Sequence, residues 1–396
     1  MCVGDNGDKR QRTMSTKHSL SLLIMFVTFA LSMGLFGTAF AQQGVTVHAI
    51  PIEINSLLDF SMSPDGNNLA IYANPIVPLG LDFSLIPFTW VELGGDAPVL
   101  HQLRGHADYV GGAAFLGDGG TLVTAHGNGD FNVWNLAAGS IERRITTPIV
   151  GAQRLPLVTI PGGNGSHFAS PNPHGLLAQV VIWDAETGYM TRTLRPYFAN
   201  FAAFAAFREE IRTGEPLSAF AVAPDGEHVA VATAIGRIWL WNINNDNALL
   251  LRNTEETQPR FDIRRIRFSS DGSRLIFSDL GADQIHIINA DNGSNEQTID
   301  SEMMLFDTLS NNRIAWLADD GENVLVAPLD QLDSPSVIPF RQLAQAPGID
   351  TSAYPPDPRA QRTGQLFVAG GNHIVIGGFM NEDAQQNLVY VITLDE

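Results

Sequence analysis

The sequence predicts an all-β chain built from repeats of one small antiparallel sheet. Two signals recur in the same order along the chain. The first is a Gly-containing turn between two short apolar runs, at residues 63–66, 117–119, 223–226, 269–272 and 318–321. The second is an apolar strand that ends in an aromatic residue and a further turn, at Trp134, Trp183 and Trp241. Because Asp-Gly provides the positive φ that a tight hairpin requires, this pattern is typical of short strands joined by tight turns.

The spacing of these signals indicates how many units the chain contains. Gly119 and Trp134 are fifteen residues apart, and so are Gly226 and Trp241. Corresponding positions in successive units lie 46–53 residues apart, slightly more than the usual period of propeller blades, so the loops should be long. There are seven units, at residues 56–103, 104–146, 147–196, 214–254, 260–300, 301–342 and 365–396. We therefore expect a seven-bladed β-propeller, whose stacked sheets share one continuous core.

The two ends of the chain are expected to complete one blade together. The last unit contains only three strands, at residues 365–369, 373–376 and 388–394. An unassigned strand pattern covers residues 45–54 near the other end of the chain. Pairing of the N- and C-terminal strands would close the ring and remove an exposed sheet edge.

Two segments fall outside the repeats. Residues 343–364 are Pro-rich and polar, which predicts a long loop. Residues 196–213 are expected to form a short helical insertion, because Pro196 suits its first turn and Gly214 suits its end. The insertion carries an apolar stripe of four aromatic residues, Phe198, Phe201, Phe204 and Phe207. The stripe either packs against the outside of blades three and four, which is the simpler interpretation, or acts as a docking helix for a partner.

The second unit resembles the WD-repeat β-propeller family. It begins with Gly105-His106 and ends with Trp134-Asn135. In that family a histidine, a Ser or Thr of the second strand, an Asp of the next turn and the closing Trp form a hydrogen-bonded chain. The resemblance assigns this structural network to His106, Thr124, Asn128 and Trp134. Asn128 stands where the family has Asp, which should weaken the network.

The resemblance extends over the whole repeat region at the level of fold and over about two units at the level of motif. It implies a ring whose faces bind other macromolecules, so we expect one or more protein partners, which it does not name. Exported bacterial propellers of the TolB-like group, with Pro-Asp-Gly turns, are a second resemblance. The Trp-Asn and Trp-Asp strand ends favour the first.

Residues 1–41 are expected to be an export signal. An apolar run covers Leu20–Phe40 and follows several basic residues. Ala39-Phe40-Ala41 has the small-x-small pattern of a cleavage site. The alternative is an uncleaved membrane anchor, since the run is near the roughly 20 residues that span a bilayer. The sequence thus predicts an exported bacterial protein, periplasmic or extracellular, with residues 42–396 as its propeller.

Charge and cysteine content exclude several classes of function. The net charge of −19 repels phosphate backbones, and no local basic patch is evident beyond the N-terminal segment, so we expect no nucleic-acid partner. Contact with a membrane is expected only through an uncleaved N-terminal segment. Cys2 is the only cysteine, which argues against thiol catalysis, zinc–thiolate sites and c-type haem.

No catalytic or metal-binding motif stands out in the sequence. Gly163–His167 contains a serine and a histidine but lacks the flanking strand and helix of a nucleophile elbow. The histidines of the first three units lack the spacing of a helical metal site; they are His101, His106, His126, His167 and His174. No acidic turn matches a calcium loop, so we expect no cofactor, with adventitious calcium left open.

The sequence therefore predicts a non-enzymatic scaffold or recognition module that binds protein through loops at the propeller faces. The alternative is a propeller enzyme of the lactonase, quinoprotein dehydrogenase or lyase type, with its site at the channel mouth. Such sites draw single residues from many blades and leave no local motif.

Overall fold

The computed structural model describes residues 44–53, 58–73, 88–95, 97–106, 108–117, 119–147, 158–159, 166–171, 180–194, 217–233, 236–245, 248–252, 263–344, 349–354, 367–381 and 386–395. The expected export signal at 1–41 and the expected helical insertion at 196–213 lie outside these residues. The chain divides into two compact units: Thr46–Leu394 with Glu396, and Met1–Val45 with Asp395. In the second unit, the backbone N–H of Asp395 donates to the carbonyl of Gly44 at 2.7 Å.

The described strands form seven four-stranded sheets, which we number as blades 1 to 7. Strand β1 (Val45–Ile52) belongs to blade 7. Blade 1 contains β2 (Leu58–Met62), β3 (Asn68–Ala73), β4 (Phe88–Glu92) and β5 (Val99–Leu103). Blade 2 contains β6 (Val110–Phe115), β7 (Thr121–His126), β8 (Phe131–Asn135) and β9 (Ser140–Ile145). Blade 3 contains β10 (Val158–Thr159), β11 (His167–Pro171), β12 (Val180–Asp184) and β13 (Met190–Leu194).

The later blades repeat the same arrangement. Blade 4 contains β14 (Leu217–Val222), β15 (His228–Thr233), β16 (Ile238–Asn242) and β17 (Ala248–Arg252). Blade 5 contains β18 (Ile266–Phe268), β19 (Arg274–Asp279), β20 (Gln284–Asn289) and β21 (Asn295–Asp300). Blade 6 contains β22 (Phe306–Leu309), β23 (Arg313–Leu317), β24 (Val324–Pro328) and β25 (Ser336–Ile338). Blade 7 contains β26 (Phe367–Gly370), β27 (His373–Asn381) and β28 (Gln386–Leu394) together with β1.

The predicted fold class, an all-β seven-bladed propeller, is confirmed. Strand β1 pairs with β28 in the order β1-β28-β27-β26, so the predicted closure by N- and C-terminal strands is confirmed as well. Among the described residues there is one short α-helix, α1 (Phe340–Leu343), directly after blade 6. A single 3-10 turn at Thr351–Ala353 lies within the expected Pro-rich loop.

The hydrophobic core lies between the blades rather than within them. Between blades 1 and 2, Phe88 packs in one cluster with Phe115 and Trp134. Between blades 7 and 1, Ile50 of the closing strand shares a cluster with Leu58. Each described cluster joins two neighbouring blades in the same way. A blade therefore hides its apolar side chains only when its neighbours are in place.

The junction of blades 7 and 1 also brings two backbones into close contact. A Cβ atom placed on Gly66 would lie 2.3 Å from the carbonyl oxygen of Gly370. Gly66 also has a φ of 78°, a conformation that residues with a side chain rarely adopt. Glycine is thus required here by both the turn and the inter-blade contact.

One turn predicted from the sequence, at residues 318–321, lies at a different place in the repeat than expected. Residues 318–321 join the second and third strands of blade 6, whereas 269–272 join the first and second strands of blade 5. The first turn of blade 6 is 310–312, where Asn311 and Asn312 have φ values of 58° and 52°. Asn tolerates this left-handed conformation without an Asp-Gly pair, so spacing alone selected the wrong turn.

Candidate functional site

The innermost strands of the propeller surround a central cavity of about 590 Å³. Its described lining residues come from strands or turns of blades 1, 2, 4, 5, 6 and 7. Each innermost strand has a hydrogen-bonded neighbour on only one side. The other edge of its backbone, with N–H and C=O groups, therefore faces the cavity.

A buried ion cluster lies in the cavity wall, which we call the Asp307 cluster. The Nη2 of Arg265 donates to one carboxylate oxygen of Asp307 at 2.7 Å, and the Nε of Arg267 donates to the other at 2.9 Å. The backbone N–H of Ala369, in blade 7, also donates to this carboxylate at 3.2 Å. One carboxylate thus connects blades 5, 6 and 7.

The Asp307 cluster stays charged around neutral pH. Burial and the neighbouring Arg267 lower the pKa of Arg265 to about 10, although Asp307 opposes the decrease. Burial would raise the pKa of Asp307, but Arg267 and Arg265 outweigh it and leave that pKa below its ordinary value. Two guanidinium groups, one buried and one partly exposed, therefore share one buried carboxylate.

The described charged residues of the cavity wall have an excess of positive charge. The cavity is lined by three arginines, Arg264, Arg265 and Arg267, but by only two aspartates, Asp65 and Asp307, among the described residues. The chain as a whole carries a net charge of −19. No basic patch is evident in the sequence here, because the run from Arg264 to Arg267 is short and its acidic partner is forty residues away. That run was the visible signal.

The turns between the first and second strands lie at one end of the blades, because antiparallel strands reverse direction at each turn. We call this end the turn face, formed by 63–66, 117–119, 223–226, 269–272, 310–312 and 370–372. The cavity reaches it, since Pro64, Pro224 and Ser269 are among the lining residues. The turn at 318–321 lies at the opposite end.

The structural network of blade 2 exists, with one different member. The indole N–H of Trp134 donates to the hydroxyl of Thr124 at 3.0 Å. His106 Nδ1 lies 3.0 Å from His126 Nε2, and Thr124 lies 3.4 Å from the same nitrogen. Asn128, which the resemblance placed in this chain, instead bonds Asp130 within the exposed turn. This assignment was wrong, and His126 takes the position.

The alternation of side chains along β7 explains why His126 joins the network. Thr124 and His126 are two residues apart, so they lie on the same face of the strand. The Nδ1 of His126 lies 3.2 Å from the carbonyl of Asp130, to which it donates. Its Nε2 is then the acceptor, and the Nδ1–H of His106 donates to it. The two-residue spacing of Thr124 and His126 is visible in the sequence, but there His126 is considered only as a metal ligand.

Both imidazoles of the network are neutral. Burial, with the neighbouring His126, lowers the pKa of His106 to about 3. Burial lowers the pKa of His126 to about 4, although the hydrogen bond to Asp130 opposes this. The pair is therefore a structural element that excludes protons over the ordinary pH range.

The other blades show which residue the indole of the closing Trp needs. In blade 2, Trp134 pairs with Leu122, and Thr124 lies two residues further along that strand. In blade 3, Trp183 pairs with Phe168, and Ser170 takes the same position. Ser170 accepts the indole N–H of Trp183 at 3.0 Å. In blade 4 this position is Val231, and the buried indole N–H of Trp241 has no partner among the described residues.

The remaining candidate residues do not form a site in the part of the chain described. His101 stacks on Trp90 with ring centroids 4.3 Å apart, and Ser166 lies 3.4 Å from the Nδ1 of its neighbour His167. His174 and the stripe of Phe198, Phe201, Phe204 and Phe207 lie outside the described residues. No three His, Cys, Asp or Glu side chains of the described residues converge as metal ligands. None of the described helices is long and apolar enough to span a bilayer.

The contrast between Thr124 and Val231 gives a reciprocal test. T124V should lower the free energy of unfolding by about 1–3 kcal/mol, because it leaves the indole of Trp134 without an acceptor. V231T should raise it by about 1 kcal/mol, because it supplies the acceptor that Trp241 lacks. Thermal and denaturant unfolding measure both changes. The same sign for both variants would contradict this account of the indole groups.

The two neutral histidines make blade 2 sensitive to acid. Below the ordinary histidine pKa of 6.5, the unfolded chain binds protons that His106 and His126 refuse in the folded state. Their contribution to stability is complete above pH 6.5 and is lost progressively as the pH falls towards 4 and 3.

We expect H106Q to reduce the dependence of unfolding free energy on pH by about 1.4 kcal/mol per pH unit between roughly pH 6 and 4. Urea unfolding at a series of pH values measures the slope. T124S keeps both imidazoles and is the control, with the wild-type slope. An H106Q slope equal to that of the wild type would show that the pair is not the acid-sensitive element.

Comparisons with known proteins place the chain by its fold. No protein-family model matches it. No curated protein matches it either. Among solved structures it is similar to the β-propeller domain of Cps50 (Swd1) from Myceliophteria thermophila, with 13% sequence identity and a TM-score of 0.58. The similarity covers 89% of this chain and 99% of that one. At this identity it shows the fold alone, a β-propeller.

Proposed function

We propose that the protein is a non-enzymatic recognition module that binds a protein partner on its turn face. The main support for this proposal is that hydrogen bonds within the turns hold them in one conformation. Asp65, Asp225 and Asp271 each accept a hydrogen bond from the backbone N–H two residues ahead, at 3.0, 2.7 and 2.9 Å. Loops already held in one conformation lose little entropy when a partner binds.

The turn face also carries exposed negative charge. Burial opposes ionisation of Asp271, but hydrogen bonds from Ser269, Ser273 and Asn312 lower its pKa to about 2. The pKa values of Asp65 and Asp225 are likewise lowered, because hydrogen bonds outweigh their partial burial. Three fixed carboxylates on one face favour a partner with basic side chains, through electrostatic complementarity.

Export is part of the same proposal and rests on the sequence of residues 1–41. An apolar run followed by Ala39-Phe40-Ala41 supports a cleaved signal. The partner would then be a protein of the periplasm or the cell exterior.

The experiment is affinity capture from the native cell envelope with three forms of the protein. D65N/D225N/D271N removes three negative charges from the turn face, while Asn keeps an oxygen that accepts the turn hydrogen bonds. D283N/D319N/D320N makes the same change in net charge at the opposite end of the blades. We expect a partner that the wild type and the second triple variant capture and the first captures at least tenfold less.

Two outcomes would contradict the proposal. Equal capture by the two triple variants would show that the turn face is not the binding surface. Stoichiometric calcium or a quinone absorbance band in the purified protein, with no captured partner, would support the alternative of a propeller enzyme.

A further inference from the structure

We infer that the central cavity binds a small anion, whose carboxylate or phosphate group is held by Arg267 and Arg264. This inference goes beyond partner recognition at the turn face and requires no protein partner. It rests on the hydrogen bonds that Arg267 makes, on the exposure of the arginines, and on the volume and polar groups of the cavity.

The guanidinium of Arg267 is only partly used by the protein. Its Nε donates to Asp307 at 2.9 Å and its Nη1 donates to the carbonyl of Ile266 at 2.9 Å. The Nη2 has no hydrogen-bond partner among the described residues. The side chain is 33% exposed, and the residue lines the cavity. A partly exposed guanidinium with a free donor is suited to a planar or tetrahedral oxyanion.

The three arginines of the cavity differ in their exposure. Arg265 is 3% exposed, and its ion pair with Asp307 holds blades 5 and 6 together. Arg267 is exposed to the cavity, and Arg264 is exposed and lines the same cavity. Because Asp307 neutralises only one guanidinium, positive charge remains on the cavity side of the cluster.

The cavity wall suits a small ligand with several oxygen atoms. A volume of about 590 Å³ falls in the range of pockets for small molecules. The free backbone edges of the innermost strands supply N–H donors around it.

The surrounding charge sets how such a ligand would bind. Asp65 lines the cavity on the turn face, and the net charge of the chain is −19, so the far field repels an anion. Attraction arises only inside the cavity, where the arginines are close and partly desolvated. We therefore expect slow association, and binding that weakens with added salt.

The experiment is calorimetric titration of the purified protein at low ionic strength, with sodium succinate and inorganic phosphate as separate probes. We expect saturable binding at one site for at least one probe. The better probe distinguishes a carboxylate from a phosphate ligand. R267Q and R264Q should each weaken the binding by about tenfold or more, because each removes a charged hydrogen-bond donor.

The control is R143Q, an exposed arginine on the outer strand β9, which makes the same change in net charge. It should bind like the wild type. R264Q leaves both ion pairs of Asp307 in place, so it decides the question if R267Q does not fold. Absence of saturable binding for both probes would overturn the inference, and so would equal weakening by R264Q and R143Q.

Discussion

The structure depends on one constraint: no blade can bury its apolar side chains without its neighbours. Large side chains such as Phe88, Phe115 and Trp134 lie between two sheets and belong to neither alone. The ring is therefore stable only when both blades that contribute to each inter-blade cluster are present. The closing strand β1 extends this rule to the last junction, where Ile50 and Leu58 share one cluster.

The polar groups within these clusters are arranged to fit the same constraint. An indole buried between sheets needs an acceptor on the strand beside it, and Thr124 and Ser170 supply one in blades 2 and 3. His106 and His126 extend the chain in blade 2 because both are neutral there. Trp241, with Val231 beside it, shows that packing alone is sufficient to retain a blade in the ring.

The number of blades and the closing strand could be predicted from the sequence, because turns and apolar runs are local signals with a regular period. The residues that the sequence assigned wrongly depend on contacts distant in sequence or on turns without Asp-Gly. Asn312 forms a first turn with no Asp-Gly pair, so spacing pointed to Gly321 instead. His126 replaced Asn128 in the network because strand alternation, rather than motif alignment, decides which side chains meet.

The cavity could not be predicted from the sequence for a different reason. Asp307 and Arg267 are forty residues apart and lie on different blades, so only the closed ring brings them together. A propeller site of this kind is assembled from single residues of several sheets, and the local sequence around each looks ordinary. The run of arginines before and within β18 was the only local indication.

The most direct measurement is the unfolding of a protein that lacks residues 42–55, which contain the closing strand. The strand buries Val47, Ile50 and Ile52, so its loss should cost roughly 5–9 kcal/mol, a large part of the stability of a domain. We expect a sharp decrease in melting temperature, measured by circular dichroism. A melting curve identical to that of the intact chain would contradict the account.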